Sequence, residues 1–373
     1  MNPTVDSLTR RRFAAMGAIG LAPLLLGGCS FGSREASYAD AVQSTWHPDT
    51  TEATSGRPLF EELVRCASLA PSSHNTQCWK FAIQPQSISI FPDLSRRCPA
   101  VDPDDHHLFV SLGCAAENMV QAALTHGLQA DVTFDAAESD ALKVQLEPTK
   151  AISSGLYAAM FDRQCTRADY DGRPLSVDDL KSLERAGTGN GVQMLILSDK
   201  AATEKMLAYI VDANTRQIDD PAFVAELKQW IRFGDTDAVR SGDGLFTGAS
   251  GNPTVPRWLG QMLFARFFTP ARENDKYARQ VRSSAGIAVF VSARNDKAHW
   301  VEAGRCYERF ALQATALGIR NAMLNQPVEV ASVRPGLARA FGLGNRRPDL
   351  VVRFGRGPEM PRSLRRPLEA VLA

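Results

Sequence analysis

Two stretches of this 373-residue chain repeat one another. Between Gly113 and Gly127 runs Cys114-Ala115-Ala116-Glu117-Asn118-Met119-Val120-Gln121-Ala122-Ala123-Leu124-Thr125-His126. Between Gly304 and Gly318 runs a second pattern that ends Leu312-Gln313-Ala314-Thr315-Ala316-Leu317. The two Gly pairs have the same spacing, Glu117 and Glu308 hold the same place, and each second Gly precedes an aliphatic residue, Leu128 or Ile319. Gly just past a helix end suits a C′ position with positive φ. Small and apolar residues wrap most of each segment, as expected of a buried central helix rather than a surface one.

Other elements recur around this pair. Pro58-Leu59 opens a helix expected to end near Ala70-Pro71, and Pro174-Leu175 opens one expected to end near Ala186-Gly187. Apolar, β-rich runs at 80–83, 87–91, 192–197, 285–293 and 350–354 read as strands. The expectation is an α+β fold, duplicated within one chain, with halves at residues 58–155 and 156–373. At about 150 residues per domain the length agrees. Residues 241–276 interrupt the second half with Gly, Pro and Asn among Leu245, Phe246, Trp258, Met262, Leu263, Phe264, Phe267 and Phe268. A long insert of this kind is either a lid or partner surface, or ordinary packing over the core.

The N-terminus reads as an address. Arg10-Arg11-Arg12-Phe13 is a twin-arginine pattern, and the Gly-rich apolar run after it is shorter than the about 20 residues of a membrane span. Leu26-Gly27-Gly28-Cys29 is similar to a lipobox, so residues 1–28 are expected to be a Tat signal peptide and Cys29 a lipidation site. The alternative is an uncleaved anchor with an incidental Cys. Residues 29–57 are expected to be a flexible tether. Export through the Tat route would place the chain as a lipoprotein on the periplasmic face of a bacterial membrane. The formal net charge of +1 gives no reason to expect nucleic acid as a partner. The other six Cys form no CxxC pair and suit no zinc spacing; free thiols are expected.

Chemistry concentrates in Ala70-Pro71-Ser72-Ser73-His74-Asn75-Thr76-Gln77-Cys78-Trp79-Lys80-Phe81. Pro and Ser supply a turn with free backbone donors, while Asn75 and Gln77 each donate and accept. That mixture suits a flavin ring edge; on these residues alone a capped turn without ligand reads equally well. Asp102, Asp104, Asp105, His106 and His107 look metal-like, but adjacent His on a helix point about 100° apart, and no metal is expected. No dinucleotide fingerprint, P-loop or nucleophile elbow is present.

The run from Ala70 to Trp79 resembles the APS-x-x-N-x-Q-P-W motif of the FMN-dependent nitroreductase family, with Cys78 where that family has Pro. The two repeated helices resemble the family's central helix. Arg163-Gln164-Cys165-Thr166-Arg167 is similar to its R-x-S-x-R/K phosphate motif, with Cys165 in place of Ser. The chain end, with Arg365-Arg366, resembles its closing segment. Glu226-Leu227, Trp230, Asp243-Gly244, Trp300 and Leu324-Asn325-Gln326-Pro327 are similar to the Acg-like branch of duplicated nitroreductases. The resemblance spans residues 58–371. It implies a nitroreductase-like fold in which each half sets a central buried helix against a mainly antiparallel sheet, with FMN as cofactor. It implies FMN contacts from Pro71, Ser72, Ser73, Asn75, Gln77, Arg163, Thr166, Arg167, Asn214, Leu324, Asn325, Arg365 and Arg366.

Arg offers planar, bidentate donors to phosphate oxygens. Arg163 and Arg167 are four apart, so on a helical turn they would share a face. In ordinary nitroreductases each flavin site takes its basic motif from one subunit and its APS-x-x-N loop from the other. Here the first half keeps the loop and the second half keeps the basic motif, while Thr188-Gly189-Asn190-Gly191 has lost the loop pattern. One composite FMN site per chain is the expectation. Flavin carries the redox chemistry itself, so no catalytic side chain is named. Two activities fit: an oxidoreductase acting on nitro, quinone or other small electrophilic acceptors, or an FMN-binding or sequestering protein without classical turnover. Outside the cytosol NAD(P)H is scarce, so an exported enzyme would draw on another reductant, such as a membrane electron donor.

Overall fold

The computed structural model describes residues 37–48, 55–136 and 139–373. The signal peptide and Cys29 lie outside the described residues.

Each half contains a four-stranded antiparallel sheet with the same strand order. In the first half the order across the sheet is Trp79–Gln84, Ser87–Pro92, Ala141–Pro148, Leu128–Asp135. In the second it is Val192–Leu197, Gly286–Ser292, Arg347–Gly355, Arg320–Met323. The helix Gly56–Ser68 precedes the first strand of one half and Val177–Ala186 the first strand of the other. The repeat is therefore a repeat of topology, and the fold is α+β.

The two central helices are His106–Thr125 and Lys297–Ala316. Each ends at a Gly in the left-handed region, Gly127 with φ +75 and Gly318 with φ +67. They cross at their opening glycines, where a Cβ on Gly113 would lie 1.9 Å from the Val301 carbonyl oxygen and a Cβ on Gly304 would lie 1.9 Å from that of Val110. Around the crossing sits the main core, which takes Leu108, Leu112, Met119, Phe310 and Leu312 from the helices and inward residues of both sheets.

The halves differ in what lies between their first two strands. In the first half only Pro85 and Gln86 separate them; in the second, residues 198–285 do. The insert is therefore wider than the expected 241–276. It contains helices Lys200–Asp219, Pro221–Trp230, Asp235–Ser241, Arg257–Phe267 and Pro270–Arg282. Met206, Leu207 and Ile210 of the first and Val281 of the last cover the outer face of the second sheet at Ile287, Val289, Val291 and Val351. Strands Gly286–Ser292 and Arg347–Gly355 are buried throughout as a result, whereas Leu128–Asp135 keeps only Ala130 fully buried. Strands covered on both faces read as continuous apolar runs, as 285–293 does.

The chain end crosses to the first sheet, and a segment at the start of the second half edges the second sheet. Leu372 pairs with Phe81, and Ala373 N donates to Phe81 O at 2.8 Å. Cys165 pairs with Asn321, and Thr166 N donates to Asn321 O at 2.9 Å. The expected tether also needs correction. Helix Tyr38–Thr45 lies within it, opened by a Ser37/Asp40 capping box. Trp46 behind this helix is buried and donates from Nε1 to Ser363 O at 3.0 Å, while Tyr38 packs on Phe246 with centroids 4.5 Å apart. The described part of 29–57 before Pro58 is therefore docked on the body.

Candidate active site

Where helix Gly56–Ser68 ends, the carbonyls of Ser68, Leu69 and Ala70 lack helical partners, as the last carbonyls of any helix do. Two arginines from distant sequence supply donors. Arg365 donates from Nε to Ser68 O at 2.9 Å and from Nη2 to Leu69 O at 2.8 Å and Ala70 O at 3.1 Å. Arg163 donates from Nη2 to Leu69 O at 2.8 Å. Cations at a helix C-terminus also complement its dipole. Arg163 then approaches Glu308 of the second central helix, Nε to Oε1 at 3.1 Å. That contact lacks hydrogen-bond geometry, and neither Glu308 oxygen has a hydrogen-bond partner. Burial therefore outweighs the attraction of Arg163 and Arg365 and pushes the Glu308 carboxyl up to about 7. Burial beside Arg163 lowers Arg365 to about 9.

The loop that follows is strained. His74, Asn75 and Gln77 have φ of 48, 53 and 53, in the left-handed region that non-glycine residues avoid. Surrounding bonds hold it. Asn75 Nδ2 donates to Gly244 O at 3.0 Å and Leu364 O at 3.2 Å, and Gly244 N donates back to Asn75 O at 3.1 Å. Gln77 N donates to Ser72 Oγ at 2.9 Å. Asp243, beside Gly244, is fixed by Arg96 and Arg232. Loop, insert and chain end form one cross-braced unit.

This unit faces a cavity of about 650 Å³ between the halves and the insert, within the roughly 300–1,000 Å³ of small-molecule and cofactor sites. Of the expected residues, Pro71, Ser72, Ser73, Asn75, Arg163, Arg167, Asn214, Asn325 and Arg365 line it. Gln77, Thr166, Leu324 and Arg366 are not among its lining residues, which corrects the expectation that they face the ligand. Gln77 is fully buried between Gly242 O, to which it donates, and Arg366 N, from which it accepts. Thr166 is buried at the sheet edge beside Asn321, and Leu324 is core on the far side of the second sheet. Arg366 donates to Gln77 O at 3.0 Å. Arg163 and Arg167 reach the wall without a helix: helix Gly155–Met160 ends before them, and the bridge at Cys165 makes the segment extended.

Charge is unevenly distributed around the cavity. The ring of Trp46 has the guanidinium carbons of Arg365, Arg362 and Arg163 at 4.9, 5.6 and 5.9 Å. Arg167 and Lys276 extend the basic wall, and burial lowers the Lys276 ammonium. Phe223, Leu227, Phe264 and Phe268 of the insert add an apolar part to the lining. Arg163 Nε, Gln164 Nε2 and Gln326 Oε1, on lining residues, are buried without hydrogen-bond partners. The arginines at Trp46 are engaged with protein acceptors, whereas Arg167 and Lys276, which meet at Ser250, offer donors for an anionic group, and the remainder fits a planar ring with polar edges.

Sequence reasoning missed Phe223, Lys276 and Glu329 as wall residues and weighed His107 only as a metal ligand. Lys276 shares a face with Arg272, four residues earlier on helix Pro270–Arg282, and that spacing is the signal that could have found it. His107 lines the cavity, with Nε2 unpartnered and Nδ1 3.6 Å from Asp102 Oδ1. Burial opposes its charged form, but the hydrogen bond and charge of Asp102, with Glu329, raise its pKa. Burial, with Arg167 and His107, lowers His74 to about 4. Helical divergence does not keep the candidate metal ligands apart: ligand atoms of Asp102, His106 and His107 lie within 4.8 Å of one another, as do those of His74, Cys98 and Glu226.

The equivalent position in the other half is closed. A Cβ on Gly189 would lie 2.4 Å from Glu302 Oε1 and 2.6 Å from Cys306 Sγ. Glu117, the counterpart of Glu308, binds Arg309 at 2.9 Å and Arg305 at 3.2 Å. Cys78, Cys98, Cys114, Cys165 and Cys306 are free thiols.

No family profile matches the chain. Two relatives from Mycobacterium tuberculosis (strain ATCC 25618 / H37Rv) are similar along most of its length. "Putative NAD(P)H nitroreductase Rv3131" is 28% identical over 346 residues, covering 89% of this chain and 94% of the relative. "Putative NAD(P)H nitroreductase acg" is 24% identical over 335 residues, covering 87% and 97%. Among solved structures, the FMN-dependent nitroreductase NfnB from Mycobacterium smegmatis in complex with NADPH aligns over 58% of this chain and 96% of its own, with TM-score 0.39 and 13% identity. A nitroreductase with bound FMN from Bacteroides fragilis aligns over 55% and 89%, with TM-score 0.34 and 14% identity.

Proposed function

We propose that the chain is an exported FMN-binding flavoprotein of the nitroreductase family, with one composite site, that reduces nitro, quinone or other small electrophilic acceptors. One observation carries the reading: the Pro71–Asn75 loop of the first half and the Arg163/Arg167 pair of the second line the same cavity. The near full-length similarity to two proteins named as NAD(P)H nitroreductases supports it. FMN, when bound, supplies the redox chemistry. The chain's residues do the rest. Arg167 and Lys276 would hold the phosphate; Ser72, Ser73 and Gln326 would address polar edges; the phenylalanines of the insert would exclude water.

The second reading, FMN binding without classical turnover, has its own observation. The insert roofs the cavity with Phe264 and Phe268, stacked with centroids 4.4 Å apart. An absorption spectrum of the purified protein, repeated after adding NADPH, separates the readings. Flavin bands that bleach, followed by reduction of a nitroaromatic, support the enzyme. Bands that persist support storage or a different electron donor. Absence of flavin bands after incubation with FMN refutes both. Tat export and lipidation at Cys29 rest on the sequence, and mass spectrometry of the mature N-terminus tests them.

A further inference from the structure

The first central helix opens on two adjacent histidines. A regular helix turns neighbouring side chains about 100° apart, yet the rings of His106 and His107 meet edge to face with centroids 4.7 Å apart. The chain enters this helix through Asp105 in the left-handed region, at φ 58. Just before it, Asp102 folds back over the first turn, where its Oδ2 accepts from Leu108 N at 3.0 Å. That contact uses one carboxylate oxygen. Oδ1 has no hydrogen-bond partner, and neither have His106 Nδ1 and His107 Nε2. The three side chains are deeply buried, with Asp102 at 3%, His106 at 1% and His107 at 6% exposure. Buried polar atoms are ordinarily paired, so three orphans in one cluster call for a ligand.

One ligand atom from each of the three lies within 4.8 Å of the others. His107 Nδ1 and Asp102 Oδ1 are 3.6 Å apart, long for a hydrogen bond, whose usual range is about 2.7–3.2 Å. The separation is close to the roughly 3.4 Å between two donors held at tetrahedral angles, about 2.0–2.2 Å from one zinc ion. His106 Nε2 lies 2.9 Å from Asp349 Oδ1, and a carboxylate in that position commonly orients a metal-bound imidazole. The surrounding charge also suits a cation: the carboxyl groups of Asp102, Asp104, Asp349 and Glu329 outnumber the guanidinium groups of Arg334 and Arg347 that act on the cluster. We propose that Asp102, His106 and His107 bind a divalent transition-metal ion of the zinc class in the wall of the cavity. Two imidazoles and one carboxylate select such an ion over calcium or magnesium, which take oxygen ligands. His107 lines the cavity, which gives the ion a path in. The inference goes beyond the proposed function and does not depend on flavin. The neighbouring cluster of His74, Cys98 and Glu226 is the weaker candidate, because both Glu226 oxygens already accept from Ala100 N and Val101 N.

The test titrates the purified full chain, first stripped with a chelator, with Zn²⁺ by calorimetry and with Co²⁺ by difference absorption. Expected are one tightly held ion per chain and cobalt d–d bands of a low-coordinate nitrogen and oxygen site, without a thiolate charge-transfer band. Asp349→Asn should weaken zinc binding by about ten- to a hundredfold, as loss of an orienting carboxylate does, and His107→Gln or Asp102→Asn by more. Asn at 102 keeps a carbonyl oxygen for Leu108 N, and circular dichroism melts show which variants fold. Should Asp102→Asn melt early, His107→Gln carries the comparison. His299→Gln, at a separate pair with Asp296, should bind as the parent does. Three results would overturn the proposal: no stoichiometric binding by the stripped chain, equal affinity in folded His107→Gln, or a thiolate-to-cobalt band, which would move the ion to Cys98.

Discussion

Gly113 and Gly304 meet the chain at equivalent points of one helix crossing. Each faces the backbone of the other helix so closely that a Cβ would lie 1.9 Å from a carbonyl oxygen. The neighbouring atom in both cases is backbone, in the most buried part of the core, and cannot swing aside. Gly113→Ala and Gly304→Ala should therefore each destabilise by about 3 kcal/mol or more, as overpacking does when relaxation is blocked. Gly155→Ala, with nothing within 4 Å of the new methyl, should be neutral or stabilising by up to about 1 kcal/mol. Urea unfolding of the three variants checks this. Equal midpoints would show that the helices can slide apart.

One flavin per chain is expected, because the counterpart of the loop at Gly189 is filled by Glu302, Cys306 and Arg309. Titration with FMN should saturate at a ratio near one. Arg167→Ala should weaken binding by roughly ten- to a hundredfold, the worth of a charge-assisted phosphate contact. Arg216→Ala, an exposed residue paired with Asp212, should leave binding unchanged. Saturation near two would place a second site where the structure shows packed side chains.

Much of this was legible in advance. The repeat was visible because buried helices need small and apolar residues at fixed spacing, and the two glycines that permit the crossing are its boundaries. Strands buried on both faces, as at 285–293, announced themselves as unbroken apolar runs. What escaped depends on distant partners. Nothing local says that Gln77 points at Gly242 and the chain end rather than at a ligand, or that Arg365 caps the carbonyls of Ser68, Leu69 and Ala70. The width of the insert escaped for the same reason. Helices Lys200–Asp219 and Pro270–Arg282 show their role only against the sheet face they cover. Composition alone suggested a tether before Pro58, yet Trp46 there finds its hydrogen-bond acceptor in Ser363.

Glu308 makes stability depend on pH in a definite direction. Its folded pKa, about 7, lies above the ordinary glutamate value of 4.5, so the folded state holds the proton more tightly than the unfolded one. Its neutral form contributes fully below about 4.5, and that contribution is lost as pH rises toward about 7. Asp349, also raised to about 7 by burial, acts in the same sense, while His74, lowered to about 4, acts oppositely as pH falls. Glu308→Gln isolates one group. The stability difference between variant and parent should move in the variant's favour as pH rises from about 4.5 to about 7, and level off beyond. A difference independent of pH across that window would mean that Arg163 keeps Glu308 ionised throughout.

Arg365 separates support of the loop from contact with the ligand. Its guanidinium donates to carbonyls of Ser68, Leu69 and Ala70 at one end of the Pro71–Asn75 loop and to Leu364 O beside it. Of these carbonyls, only Leu69 O, which Arg163 shares, and Leu364 O, which Asn75 shares, have a second side-chain donor among the described residues. Arg365→Ala should therefore cost about 2–4 kcal/mol in stability by leaving buried acceptors unpaired. Arg365→Lys should recover only part of that, since one ammonium cannot span three carbonyls in a fixed fork. FMN affinity, measured well below the melting temperature, should fall less in Arg365→Ala than in Arg167→Ala. The reverse order, with large affinity loss and little change in melting, would mean that Arg365 leaves the helix end and binds the phosphate directly.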